Sequence, residues 1–125
     1  MLITHLHFCG ECYQAIKSYE RAFGAIINKI IFIDKEKPEK GVLHAEILIH
    51  GQRVMLNDNR SGNCSAEYPF VQLVMTFKNE VELINAFNIL KDENKIMSPM
   101  KATDFTSCTV GFWDKYGIRW GFMVN

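Results

Sequence analysis

The chain of 125 residues carries four histidines and four cysteines, and three of the histidines fall where they could share chemistry. His5 and His7 alternate with Leu6 and Phe8. On a strand, both imidazoles then point to one face while the apolar pair points to the other. His44 and Glu46 repeat the alternation against Ala45 and Ile47. Three imidazoles and one carboxylate on a common surface suit general acid and base catalysis near neutral pH, where histidine titrates. His5, His7, His44 and Glu46 are therefore the candidate catalytic residues. The condition is strand register, because a slip of one residue would exchange His5 and His7 for Leu6 and Phe8 on that face. If the registers scatter these groups, His7 or His44 merely hydrogen-bonds a neighbour.

Cys9-Gly10-Glu11-Cys12 stands where a strand gives way to a helix, and a helix N-terminus stabilises a thiolate. A redox dithiol or a zinc site through Cys9 and Cys12 is the chemistry this would allow. Zinc needs two further ligands, and no second Cys-x-x-Cys supplies them. Packing beneath the helix is the other role open to Cys12. The last quarter of the chain is aromatic, with Phe105, Phe112, Trp113, Tyr116 and Trp120. Large rings dominate core burial, which assigns Phe112 and Trp120 to the core. Trp113 and Arg119 remain as cavity residues, the arginine suited to a carboxylate or phosphonate.

The elements that would position these groups follow from periodicity. Residues 2–8 read as a strand ending at Gly10, and residues 11–23 carry Cys12, Ala15, Ile16, Tyr19, Ala22 and Phe23 at helical spacing before Gly24. Residues 25–33, 42–50 and 52–57 have β character. The charged stretch 34–41 around Pro38 is a solvated turn, and Gly51-Gln52 makes a tight hairpin. The polar stretch 58–69 is a seam, after which the order repeats. A strand at 70–77 leads to Asn79 and Glu82, spaced as a capping box, and an amphipathic helix follows from Val81 to Leu90. Residues 95–97, 106–112 and 118–124 are further strands, and 91–95 reads as a solvated turn. Two βαβββ units result, alike in order but not visibly in sequence.

Composition limits the functions. Lys plus Arg number 14 and Asp plus Glu 14, so the net charge is zero and nothing recommends nucleic acid or an anionic membrane as partner. No apolar run approaches the roughly 18 residues of a membrane span, and no signal peptide stands at the start. The expectation is one cytoplasmic domain over 1–125, with modules at about 1–60 and 68–125 and cysteines as free thiols rather than a disulfide framework. No glycine-rich loop for a nucleotide cofactor is present.

In this order of elements, the chain resembles the vicinal oxygen chelate superfamily of glyoxalases, bleomycin-resistance proteins and extradiol dioxygenases, and within it the PhnB-like branch. Phe8-Cys9-Gly10-Glu11-Cys12 leading into Ala15 and Tyr19-Glu20-Arg21-Ala22-Phe23-Gly24 carries the first part of the resemblance. His44-Ala45-Glu46-Ile47 with Met55-Leu56-Asn57-Asp58, and Asp114 through Gly117 to Trp120, carry the rest.

The resemblance implies an α+β fold in which two tandem βαβββ modules form a curved mixed sheet around a cavity, and a homodimer. It also implies a small-molecule ligand or substrate. The metal enzymes of the superfamily take one ligand from the first and last strand of each module. Here those places fall on Thr4 or His5, on Met55, Leu56 or Asn57, on Gln72, and at Gly121. They provide no carboxylate, so neither a metal nor another cofactor is expected. Met55, Asn57, Gln72, Trp113 and Arg119 are the candidate ligand-binding residues, and proton transfer or isomerisation is the expected reaction if the protein is an enzyme. A non-catalytic or drug-sequestering binder is the rival reading. For cationic drugs a neutral chain lacks the acidic cleft that would favour them.

Overall fold

The structure is a computed structural model that describes residues 1–58, 71–104 and 106–125. The chain divides into two compact units, Met1–Ser65 and Ala66–Asn125. No helix among the described residues is long and apolar enough to cross a membrane.

The first unit contains β1 (Thr4–Phe8), α1 (Cys12–Phe23), β2 (Ile26–Phe32), β3 (Val42–Ile49) and β4 (Gln52–Asp58), with a short 3-10 helix at Pro38–Lys40 in the charged turn. Its sheet runs β1-β4-β3-β2, with β1 parallel to β4 and the other pairs antiparallel. Cys12, Ala15, Ile16, Tyr19 and Phe23 form the buried stripe of α1. Leu6, Phe8, Ala45, Ile47, Val54 and Leu56 are among the buried residues of the strands. Each large side chain removed from water in this way stabilises by roughly 1.5–3 kcal/mol. The alternation that buries Leu6 and Phe8 leaves His5 and His7 exposed.

The start of α1 is satisfied in a way the sequence pattern does not announce. Glu11 makes no side-chain cap. Instead Asp58, the last residue of β4, accepts the N–H groups of Gly10 at 2.8 Å and Cys12 at 3.0 Å on Oδ1, and that of Val42 at 2.8 Å on Oδ2. A buried carboxylate thus serves donors that a helix N-terminus cannot satisfy within itself. Gly41 is required beside it, since its φ is +113° and a Cβ there would lie 2.9 Å from Asp58 Oδ2. Asp58 therefore closes the first module instead of opening the polar seam. The hairpin turn also moves by one residue, to His50 and Gly51. Both have positive φ, 49° and 80°, as the favoured two-residue hairpin turn demands.

The second unit repeats the topology with β5 (Leu73–Phe77), α2 (Glu80–Leu90), β6 (Lys91–Lys101), β7 (Thr109–Asp114) and β8 (Arg119–Val124), in the order β5-β8-β7-β6. Asn79 caps α2 by accepting the Glu82 N–H at 2.9 Å, as the spacing predicts. Phe112 sits edge-on to Phe87 and Phe122, with ring centroids 4.9 and 4.8 Å apart, and is fully buried. Trp120 is also in the core, donating its Nε1–H to the buried Asp114 Oδ2 at 2.8 Å, while Oδ1 accepts from Tyr116 N and Ile118 N. The stretch 91–95 departs from expectation. It begins β6, because Lys91 takes extended backbone directly after α2 and an edge strand tolerates Lys91, Asp92, Glu93 and Pro99. Charges masked its strand character. Phe105 and Cys64 lie outside the described residues.

Candidate functional site

The face of the first sheet opposite the buried Leu6, Ala45 and Leu56 collects the predicted polar residues. Register sets Glu46 opposite Met55 and Met55 opposite His5, while His7 stands opposite Asn57. The two imidazoles of β1 stack with centroids 4.3 Å apart, and the His44 ring meets His5 edge-on at 6.2 Å. His44 Nε2 lies 3.3 Å from Glu46 Oε1. The structure therefore brings His5, His7, His44 and Glu46 together, with Met55 and Asn57 among them.

Two cations missing from the sequence-based set join this face. Arg53, two residues before Met55, donates to Glu46, and Lys29 on β2 stands opposite Glu46. The signal for Arg53 was present, because alternation on β4 places it with Met55 and Asn57. What the sequence withheld was its partner, which depends on the β3–β4 register.

Electrostatics separates the roles. The Arg53 and His44 hydrogen bonds hold the Glu46 carboxyl down to about 2, so it is a poor proton acceptor at neutral pH and a good anchor for His44. His5 is lowered from its ordinary value by partial burial and by His7 and His44, with the Asn57 side chain opposing. Its neutral form is the one favoured, which leaves a ring nitrogen free to accept a proton. Asn57 Nδ2 donates to the Asp58 carbonyl at 3.3 Å, and its Oδ1 is buried and meets no donor in hydrogen-bonding geometry.

The second unit holds a separate concavity of about 290 Å³ on the open face of its own sheet, lined by Gln72, Val74, Ser98, Gly111, Gly121 and Met123 among others. Gly111 and Gly121 are register partners. Gln72, which immediately precedes β5, lays its amide over Gly121 and donates to the Trp120 carbonyl at 3.2 Å. A Cβ on Gly121 would come within 3.0 Å of that amide. Trp113 and Arg119 face each other two positions along the same ladder, half-buried, and are not among the residues lining the concavity.

The positions where the resemblance would put metal ligands carry no carboxylate, the donor that together with carbonyl oxygen suits a hard divalent ion, whereas imidazole suits zinc, copper, iron or nickel. His5 and Met55 offer an imidazole and a thioether. Gln72 offers an amide bound to Trp120, and Gly121 offers no side chain. Among the described residues no three His, Cys, Asp or Glu side chains converge to hold an ion.

The Cys-x-x-Cys is not a dithiol pair. Cys9 is in a disulfide, whereas Cys12 is a free, buried thiol, so the expectation of uniformly free cysteines fails at Cys9. Burial and the Asp58 carboxylate push the Cys12 thiol up to about 12. The backbone N–H of Cys12, which would stabilise a thiolate at this helix start, is already bonded to Asp58.

No family model matches the chain. It is 27% identical to Protein YjdN of Escherichia coli strain K12, with 99% of this chain and 93% of that protein covered. The solved PhnB protein from Bacillus cereus superposes with a TM-score of 0.87 at 27% identity, covering 99% of this chain and 98% of that one. A glyoxylase/bleomycin resistance protein/dioxygenase domain from Frankia sp. EAN1pec superposes at 0.72 with 12% identity, covering 100% and 90%. The chain has the glyoxalase/bleomycin-resistance/dioxygenase fold, built from two βαβββ modules. Among proteins of this fold, it is similar to the PhnB protein of Bacillus cereus.

Proposed function

We propose that the protein binds a small molecule over the open face of its first sheet and moves a proton on it without a metal. The observation that carries this reading is the contact of three imidazoles, His5 stacked on His7 and edge-on to His44, with His44 tethered to Glu46. In this reading His5, favoured neutral, takes the proton. His5 then returns the same proton at a neighbouring atom, which completes an isomerisation, while His44, oriented by Glu46, hydrogen-bonds the bound molecule. His7 supports the His5 ring by stacking, and Met55 and Asn57 contact the ligand. Within the second unit, Gln72 at that unit's own concavity, and Trp113 and Arg119 beside it on the β7–β8 ladder, are the candidate contacts for a ligand of that sheet. A homodimer and a cytoplasmic site of action belong to the same proposal.

The test is proton exchange. The protein is incubated in deuterated buffer with a panel of small ketones, keto acids and enolisable amides, and loss of the proton beside the carbonyl is followed by NMR. Exchange should occur with at least one compound, fall at least about tenfold in His5→Gln, as loss of a general base costs, and fall in the His44→Ala/Glu46→Ala double variant. Exchange that survives both changes, or that requires an added divalent ion, would overturn the reading.

A further inference from the structure

We infer that the ligand of the first-sheet face is a small carboxylate with a short apolar body. The inference rests on the proposed location of the site and adds the chemical class of its occupant.

The charges on that face are unequal. Lys29 from β2 and Arg53 from β4 are cations, and His5, His7 and His44 add ring N–H donors. Glu46 from β3 is the single carboxylate, and it already accepts from Arg53 and His44. An incoming anion therefore meets cations and donors with no unengaged carboxylate to repel it. Apolar side chains flank the cluster. Met55 lies between Glu46 and His5, and Ile31, 43% exposed, is paired with His44. Leu48 stands next along β3, opposite Arg53. A carboxylate on a small hydrocarbon or aromatic body matches this arrangement, the charged end at the imidazoles and the body on Ile31 and Met55.

The experiment uses the intact protein labelled with 15N, with imidazole ring signals followed at neutral pH. Benzoate is the probe and benzamide its neutral counterpart of the same shape. Benzoate should move the His5 ring signals, while benzamide should leave them unchanged. Glu46→Gln should tighten benzoate binding by about threefold, because it removes the carboxylate from the face. Equal responses to the two probes, no response of His5 to benzoate, or weaker binding in Glu46→Gln would overturn the inference. Proton exchange that depends on His5 but shows no preference for carboxylates would sink this inference and leave the catalytic reading standing. A benzoate response without exchange on any substrate would do the reverse.

Discussion

The Arg53 guanidinium on β4 donates to the Glu46 carboxylate on β3, although seven residues separate the two in sequence and their strands run in opposite directions. The contact follows from register: Glu46 pairs with Met55 and Leu48 with Arg53, so Arg53 is the diagonal neighbour of Glu46, within reach of a long side chain. The bond keeps Glu46 charged, and a charged Glu46 keeps His44 oriented.

Replacing Arg53 by Gln should let the Glu46 carboxyl rise from about 2 toward its ordinary value of 4.5. In the unmodified protein the depressed carboxyl contributes stability that is complete above that ordinary value and is lost as pH falls toward 2. The variant should be less stable at neutral pH, and its difference from the unmodified protein should shrink as pH falls from 4.5 toward 2. Carboxyl 13C titration by NMR measures the shift directly, and a Glu46 midpoint unchanged in Arg53→Gln would show that His44 alone holds it down.

Asp58→Asn should destabilise the first unit by about 2–4 kcal/mol, because one amide oxygen replaces two acceptors and an NH2 group is turned against a buried N–H. The three bonds to Gly10, Cys12 and Val42 cannot all survive. Urea unfolding followed by far-ultraviolet circular dichroism, with the disulfide kept intact, reads the change. A loss below about 1 kcal/mol would mean that the helix start is satisfied by other groups.

What the sequence made legible was periodic. His5 and His7 against Leu6 and Phe8, the stripe from Cys12 to Phe23, and Asn79 three residues before Glu82 are local patterns whose physics acts within a few residues. The second half of each unit was harder. Lys91, Asp92 and Glu93 open a strand because β7 pairs with it, and no local preference reports a distant partner. Asp58 looked like the first residue of a polar loop, since its role depends on Gly10 and Val42, which are 48 and 16 residues away. The Cys-x-x-Cys left two roles open for a related reason. Its spacing suggests a pair, but α1 turns Cys12 into the core, and Cys9 is held in a disulfide.

In the second unit, Gly121→Ala should displace the Gln72 amide, because the new Cβ would sit 3.0 Å from it. The expected cost is about 1–2 kcal/mol from the strained contact and the loss of the Gln72–Trp120 hydrogen bond. Gln72→Ala alone should cost less, and in the Gln72→Ala background the glycine substitution should become nearly neutral. A double-mutant cycle measures this coupling. Additive effects would mean that the contact does not constrain the second sheet.

Cys12 provides the last test, because its chemistry separates a packed thiol from a reactive one. A thiol pushed up to about 12 by burial and by Asp58 is almost wholly protonated at neutral pH, and the protonated form is not the nucleophile. Iodoacetamide added to the native, unreduced protein at mildly alkaline pH should leave the Cys12 peptide unmodified, while the same reagent in denaturant should label it completely. Asp58→Asn separates the two causes. Removing the nearby negative charge should bring the thiol partway down and speed its labelling only modestly, since burial is the larger of the two effects. Peptide mapping by mass spectrometry reads all three conditions. Rapid labelling of Cys12 in the folded, unreduced chain would restore the possibility of thiol chemistry at this turn and would contradict the packing of α1 against the first sheet.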